Sequence, residues 1–94
     1  MPGVSFLGAI DTGHGCFPLR PSTGGSGDVF VNNKAVHRKS DSWGVHCCGP
    51  SCHPSVLADG SGTVLVNGLP IGRIGDPIAC GSIVAEGSDN VFAG

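Results

Sequence analysis

Gly25-Ser26-Gly27-Asp28-Val29-Phe30-Val31-Asn32 recurs as Gly60-Ser61-Gly62-Thr63-Val64-Leu65-Val66-Asn67, and more loosely as Gly87-Ser88-Asp89-Asn90-Val91-Phe92-Ala93-Gly94. The spacings are 35 (60 − 25) and 27 (87 − 60). In the first two copies the match continues through Asn33-Lys34-Ala35-Val36-His37-Arg38-Lys39-Ser40-Asp41 and Gly68-Leu69-Pro70-Ile71-Gly72-Arg73-Ile74-Gly75-Asp76. Each copy reads as a short strand, a two-residue turn, a second strand and an aspartate. Asn67-Gly68 is a strong hairpin signal, and Asn32-Asn33 can adopt the same positive-φ turn. Leu7-Gly8-Ala9-Ile10-Asp11 reads as the tail of a further copy. One supersecondary unit is used repeatedly because alone it cannot bury its apolar face.

The rest of the composition suits this reading. Seventeen Gly and seven Pro among 94 residues favour turns, and no segment carries a helical period of ten residues or more. Such a composition also occurs in disordered chains, but those lack regularly spaced Val-x-Val strands. The expectation is one all-β domain over residues 1–94, a small set of repeated β-hairpins with pseudo-threefold character and no effector extension. A core of this size rarely gives more than about 3–5 kcal/mol of net stability, so a staple or a partner is expected. Net charge is −2 with no Lys/Arg cluster, which argues against nucleic acid or an anionic membrane surface as partner. No basic segment precedes an apolar run at the start, as a secretory signal would require, and no stretch approaches membrane-spanning length.

The staple is sought in His46-Cys47-Cys48-Gly49-Pro50-Ser51-Cys52-His53, where five of eight residues can bind a soft or borderline metal. Gly49-Pro50 forms a turn and brings the two ends together. The repeat selects among the candidates. The tail aspartates Asp11, Asp41 and Asp76 are followed by His14, His46 and Cys80 at three, five and four residues. A second alignment, offset by 27 (80 − 53), lays His53-Pro54-Ser55-Val56-Leu57-Ala58-Asp59 over Cys80-Gly81-Ser82-Ile83-Val84-Ala85-Glu86. Ligands at equivalent corners of a repeated hairpin converge if the copies pack around one axis. Three imidazoles and one thiolate form a closed, structural zinc set.

Other residues have plainer readings. His37 falls inside a strand where the second copy has Gly72, and an exposed or edge position is expected. Cys16, Cys47, Cys48 and Cys52 are expected to be small buried side chains. The odd cysteine count and a reducing compartment favour free thiols over disulfides. Replacement of a histidine ligand by Cys47, Cys48 or Cys52 stays open. A Cys/His nucleophile needs a cleft that a Gly-rich chain of this size has little room for. Gly24-Gly25-Ser26-Gly27 lacks a following Lys-Ser/Thr and reads as a flexible loop, not a phosphate loop. Trp43 is expected to pack, and the three aspartates to shape turns.

The paired Gly-Ser-x-x-Val-x-Val-Asn-Gly-x-Pro-x-x-Arg-x-Gly-Asp copies, Thr12-Gly13-His14-Gly15 and Pro77-Ile78-Ala79-Cys80-Gly81 together resemble the PAAR-repeat proteins. The first copy departs with Asn33 for Gly, Ala35 for Pro and Ser40 for Gly. The nearest form of the Pro-Ala-Ala-Arg string is Pro70-Ile71-Gly72-Arg73. The resemblance implies a cone of hairpins with zinc near its apex, held by His14, His46, His53 and Cys80. It implies a non-enzymatic tip that caps and sharpens a trimeric β-helical spike, VgrG in type VI secretion or the related phage spike, for membrane puncture. Such a tip is a monomer on a trimeric partner, assembled on the spike in the bacterial cytoplasm and then ejected towards the target cell, or virion-associated if phage-encoded. The alternative is a zinc-binding adaptor that attaches effectors to the spike, and the third reading is a disulfide-rich miniprotein.

Overall fold

A computed structural model describes all 94 residues. The chain is all-β, with three antiparallel hairpins in sequence order. They are β1 (Phe30–Val31) with β2 (Lys34–Ala35), β3 (Ser42–Cys48) with β4 (Ser51–Val56), and β5 (Leu65–Val66) with β6 (Leu69–Pro70). The molecule is elongated, 37 × 24 × 22 Å. The turns expected from sequence are present: Asn32 and Asn33 have φ of 50° and 66°, and Asn67 and Gly68 have 55° and 80°. Ser40 keeps φ at 75° where its counterpart Gly75 has 92°. The first copy therefore holds the turn geometry of the second despite its substitutions.

The third copy is assembled from the two ends of the sequence. Phe92 pairs with Gly3 as Phe30 pairs with Ala35 and Leu65 with Pro70. The three units then close into a ring. The Ser5 N–H donates to the Gly72 carbonyl (2.8 Å), Gly72 to His37 (2.8 Å), and His37 to Ser5 (3.2 Å). A second threefold set follows, from the N–H of Leu7, Lys39 and Ile74 to the carbonyls of Ala35, Pro70 and Gly3. Each copy also starts with the same hydroxyl turn. The Oγ of Ser26, Ser61 and Ser88 accepts from the backbone N–H two and three residues on, as an ST turn does. The pseudo-threefold expectation thus holds at the level of individual hydrogen bonds.

This ring leaves no space at its inner corners. A Cβ at Gly60 would lie 2.5 Å from the Ile71 carbonyl oxygen, and one at Gly25 2.9 Å from the Cβ of Ala35. Gly24–Ser26 is therefore a close-packed corner, with Ser26 buried, and not the flexible loop expected; Gly27 beside it is exposed. Two apolar clusters form the core. Val4, Phe6, Ala9, Val31, Val36, Val66, Ile71 and Ala93 pack between the small hairpins. Trp43, Leu57, Ile78 and Val84 form the second, against which Cys80 packs. Trp43 has the packing role expected of it.

Two expectations need correction. His37 is fully buried, not an edge residue, because its strand position lies on the closed ring. Its Nδ1 contacts the Gly24 carbonyl (2.8 Å), while Nε2 has no protein partner. The Leu7–Asp11 tail is shifted by two residues. Ala9 donates to Phe6 as Asp41 does to Arg38 and Asp76 to Arg73, so Ala9 occupies the aspartate position. Asp41 and Asp76 pair with Arg38 and Arg73 three residues earlier and shape those turns. Asp11 shapes the turn that follows it, accepting from the Gly13 N–H, and also makes a buried pair with Arg20.

Candidate metal centre

The β3–β4 hairpin turns through Gly49-Pro50, with Gly49 at φ 62°, and places His46 directly across from His53. A bulge between Trp43 and His46 is essential to this. Residues three apart on a regular strand face opposite sides, yet both Trp43 and His46 are buried. The extra residue turns His46 inward above Trp43. His14 arrives on a tight turn in which His14 and Phe17 exchange both backbone hydrogen bonds (2.9 and 3.1 Å). Asp11 anchors that turn by accepting from the N–H of Gly13 and of Arg20. Cys80 comes from the Ile78–Ser82 turn, in which the Ile78 N–H donates to the Ser82 carbonyl and the Gly81 N–H to the Ile78 carbonyl (both 2.9 Å).

These four side chains converge. The candidate ligand atoms of His14, His46, His53 and Cys80 all lie within 4.8 Å of one another. The Nε2 of His53 is 2.8 Å from Nε2 of His46 and 3.1 Å from Nε2 of His14. Adjacent donors around a tetrahedral zinc stand about 3.3 Å apart, given bonds of about 2.0–2.1 Å. His46 Nδ1 lies 2.9 Å from the Pro18 carbonyl, so the neutral ring donates there and leaves its Nε2 lone pair facing the cluster. A single proton on His53 Nε2 can satisfy only one of its two nitrogen neighbours. A cation at the centre satisfies all of them, so this donor set could hold a metal ion.

The surroundings favour the ligand forms of these groups. Burial opposes ionisation of Cys80, but the Ser82 backbone and hydroxyl, the Ser55 hydroxyl and Arg20 together hold the thiol below its ordinary range. Arg20 is the hub. Buried itself, it places one guanidinium nitrogen 2.9 Å from the Cys80 sulfur and another on the carbonyls of Gly44 and His53. Phe17 covers the cluster, with ring centroids 4.4–4.9 Å from all three imidazoles. Neither Arg20 nor Phe17 falls in the repeated segments, so the repeat alignment had no means of finding them.

Partial desolvation, then the neighbouring His46, His14 and Arg20, hold His53 below the usual histidine range. Burial does the same to His37, partly offset by the Gly24 carbonyl and Asp41. Both groups stay neutral in the folded chain where the unfolded chain takes up protons. The unfolded state thus binds more protons, and stability falls as pH drops through about 6.5. We expect a lower urea midpoint at about pH 5 than at about pH 7.5; equal midpoints would contradict the burial of His37.

The cysteines of the hairpin differ from expectation. Cys47 pairs with Cys52 and Cys16 with Cys48 in disulfides, leaving Cys80 free. Cys16, Cys47 and Cys52 are exposed, not buried small residues. Neighbouring Cys47 and Cys48 project to opposite faces of β3, so each finds its own partner and neither replaces a histidine in the ligand cluster.

Comparison with known proteins agrees with this geometry. A family model described as the PAAR motif matches residues 12–86, which includes all four converging side chains. The chain is 37% identical over 84 residues to the NAD(P)(+) glycohydrolase toxin Tse6 and to the (p)ppApp synthetase toxin Tas1, both of Pseudomonas aeruginosa. It is 38% identical over 68 residues to the double-stranded DNA deaminase toxin A of Burkholderia cenocepacia. The matches cover 79%, 79% and 72% of this chain, but only 20%, 19% and 5% of the relatives. The similarity is to one module of much larger toxins. The repeat, the closed ring and the family match lead to one conclusion: the chain belongs to the PAAR-motif family.

Proposed function

We propose that this protein is a zinc-stapled, non-enzymatic tip that caps the blunt end of a trimeric β-helical spike of the VgrG type, in a contractile injection machine such as type VI secretion. The observation that carries the reading is a threefold set of exposed apolar pairs. Val29-Phe30, Val64-Leu65 and Val91-Phe92 occupy the same position in the three copies, and Phe30, Leu65 and Phe92 are 60%, 59% and 50% exposed. A threefold apolar surface on a single chain suits a threefold socket. The end of a β-helix also presents unpaired strand edges that a cap must cover. In the toxin relatives the matching module is a fifth or less of the length, which supports a carrier role with cargo attached to the tip. Assembly on the spike would take place in the cytoplasm, before ejection towards the target cell.

The test uses a soluble, truncated spike trimer from the same genome. The chain should co-elute with it at micromolar concentration. The triple variant Phe30→Asp, Leu65→Asp, Phe92→Asp should not, while keeping its metal and its circular dichroism. Undiminished binding by that variant would refute this docking face. A wild-type chain that binds the toxin cargo but no spike would favour the adaptor reading.

A further inference from the structure

Both disulfides are concentrated on the arm that carries the histidines, and each of their cysteines lies within two residues of a candidate ligand histidine. Cys47 and Cys52 directly follow and precede the paired His46 and His53, with their Cα atoms 4.1 Å apart across the hairpin. Cys16 lies two residues after His14, and Cys48 two residues after His46. Their Cα atoms are 5.4 Å apart, across 32 residues of sequence. The first bond thus fixes the hairpin that presents His46 and His53, and the second ties the His14 turn onto the same strand. Cys80 is left out, as a metal ligand must be. Three of the four paired cysteines are exposed and the fourth is half-buried, so oxidants and reductants reach them.

We propose that Cys16–Cys48 and Cys47–Cys52 form a redox-controlled second clamp on the metal arm. In the reduced protein the metal is the one cross-link added to the hairpin and turn hydrogen bonds that hold His14, His46 and His53 together. In the oxidised protein the disulfides hold them without it. The inference rests on the metal reading of the ligand cluster. The chemistry is thiol–disulfide exchange with a small-molecule or protein disulfide as oxidant. A thiolate of each pair attacks the incoming disulfide and expels one of its sulfurs. The partner thiolate then displaces the other, so one protein S–S bond forms as one S–S bond is reduced to two thiols. Each pair gives up two electrons and two protons. The face alternation of β3 fixes the pairing, because Cys47 and Cys48 cannot exchange partners without flipping the strand.

The test compares the full chain after equilibration with oxidised glutathione or with a phosphine reductant. Alkylation in denaturant with chelator should label one thiol in the oxidised protein and five in the reduced one. Removing the metal with a chelator should unfold the reduced protein and leave the circular dichroism of the oxidised protein unchanged. Zinc competition should show at least tenfold tighter binding by the oxidised form, whose ligands are already positioned. The variants Cys16→Ser/Cys48→Ser and Cys47→Ser/Cys52→Ser should each keep the metal but lose part of the oxidised protein's resistance to chelator. Five labelled thiols after glutathione treatment would overturn the clamp. So would identical unfolding of both forms on chelation. Elemental analysis reads the metal separately, so a chain with two disulfides and no metal would count against the metal reading alone.

Discussion

Replacing His53 with alanine is expected to abolish stoichiometric metal binding and, under reducing conditions, to unfold the chain. His53 is the central donor: its Nε2 faces both other histidine nitrogens, and its backbone carbonyl is held by Arg20. Losing even a group that only orients a ligand costs about 10–100-fold in metal affinity, so losing a ligand outright should exceed about 100-fold. The stability at stake is large for so small a protein. In zinc-finger peptides metal binding contributes about 10–16 kcal/mol, against about 3–5 kcal/mol of net stability from a core of this size. Cys80→Ala should behave likewise, with one difference. The truncation leaves the Arg20 guanidinium without its sulfur contact, but the three imidazoles still converge. Each variant leaves three of the four converging donors, so at most weak residual metal binding is expected of both. Metal content and melting temperature in reducing buffer decide. A fully loaded His53→Ala protein with an unchanged melting temperature would remove His53 from the ligand set.

Arg20→Met is expected to destabilise the whole molecule by about 3–5 kcal/mol, the usual cost of leaving one partner of a buried ion pair alone. Asp11 is 1% and Arg20 3% exposed, so the Asp11 carboxylate would lose its cation in a dry site. The same change frees the carbonyls of Gly44 and His53 and the Cys80 sulfur, which joins the loss of stability to a loosened metal site. The double variant Arg20→Met/Asp11→Leu separates the two effects. Removing both charges should restore much of the melting temperature while metal affinity stays reduced. A single Arg20→Met change that leaves both quantities as in the parent would show that the pair carries neither load.

Much of the fold was legible because a hairpin repeat announces itself through turn chemistry. Asn32-Asn33 and Asn67-Gly68 could be read as positive-φ pairs, and the alternating Val-x-Val strands around them left little choice of partner. The four converging side chains were legible for the same reason, since equivalent repeat positions must meet on a common axis. The structure brings together the four that the alignments selected. The Cys47–Cys52 interior could not be assigned this way, because pairing depends on distances that spacing does not supply.

The remaining misses share a physical origin. The third copy wraps across the two ends of the sequence, and comparison along the chain sees only its separate halves. It also lacks the Arg-x-x-Asp turn, having Phe6 and Ala9 there, so Asp11 shapes the next turn along and lies two positions past the aspartate position of the other copies. His37 looked like an edge residue because a strand-borne histidine usually faces solvent. Closure of the Ser5–His37–Gly72 ring buries it, with Trp43 packed against the imidazole (centroids 5.2 Å). Arg20 serves the site through a buried guanidinium whose partners are mostly backbone carbonyls and a sulfur, and such partners leave no mark on spacing.

His14, His46, His53 and Cys80 together are expected to hold a structural metal ion. Native mass spectrometry of the protein purified without added metal or chelator tests it most directly, with elemental analysis to name the ion. One zinc per chain is expected, lost together with the fold when the reduced protein is treated with chelator. A homogeneous metal-free mass in a reduced, folded, monomeric chain would contradict it.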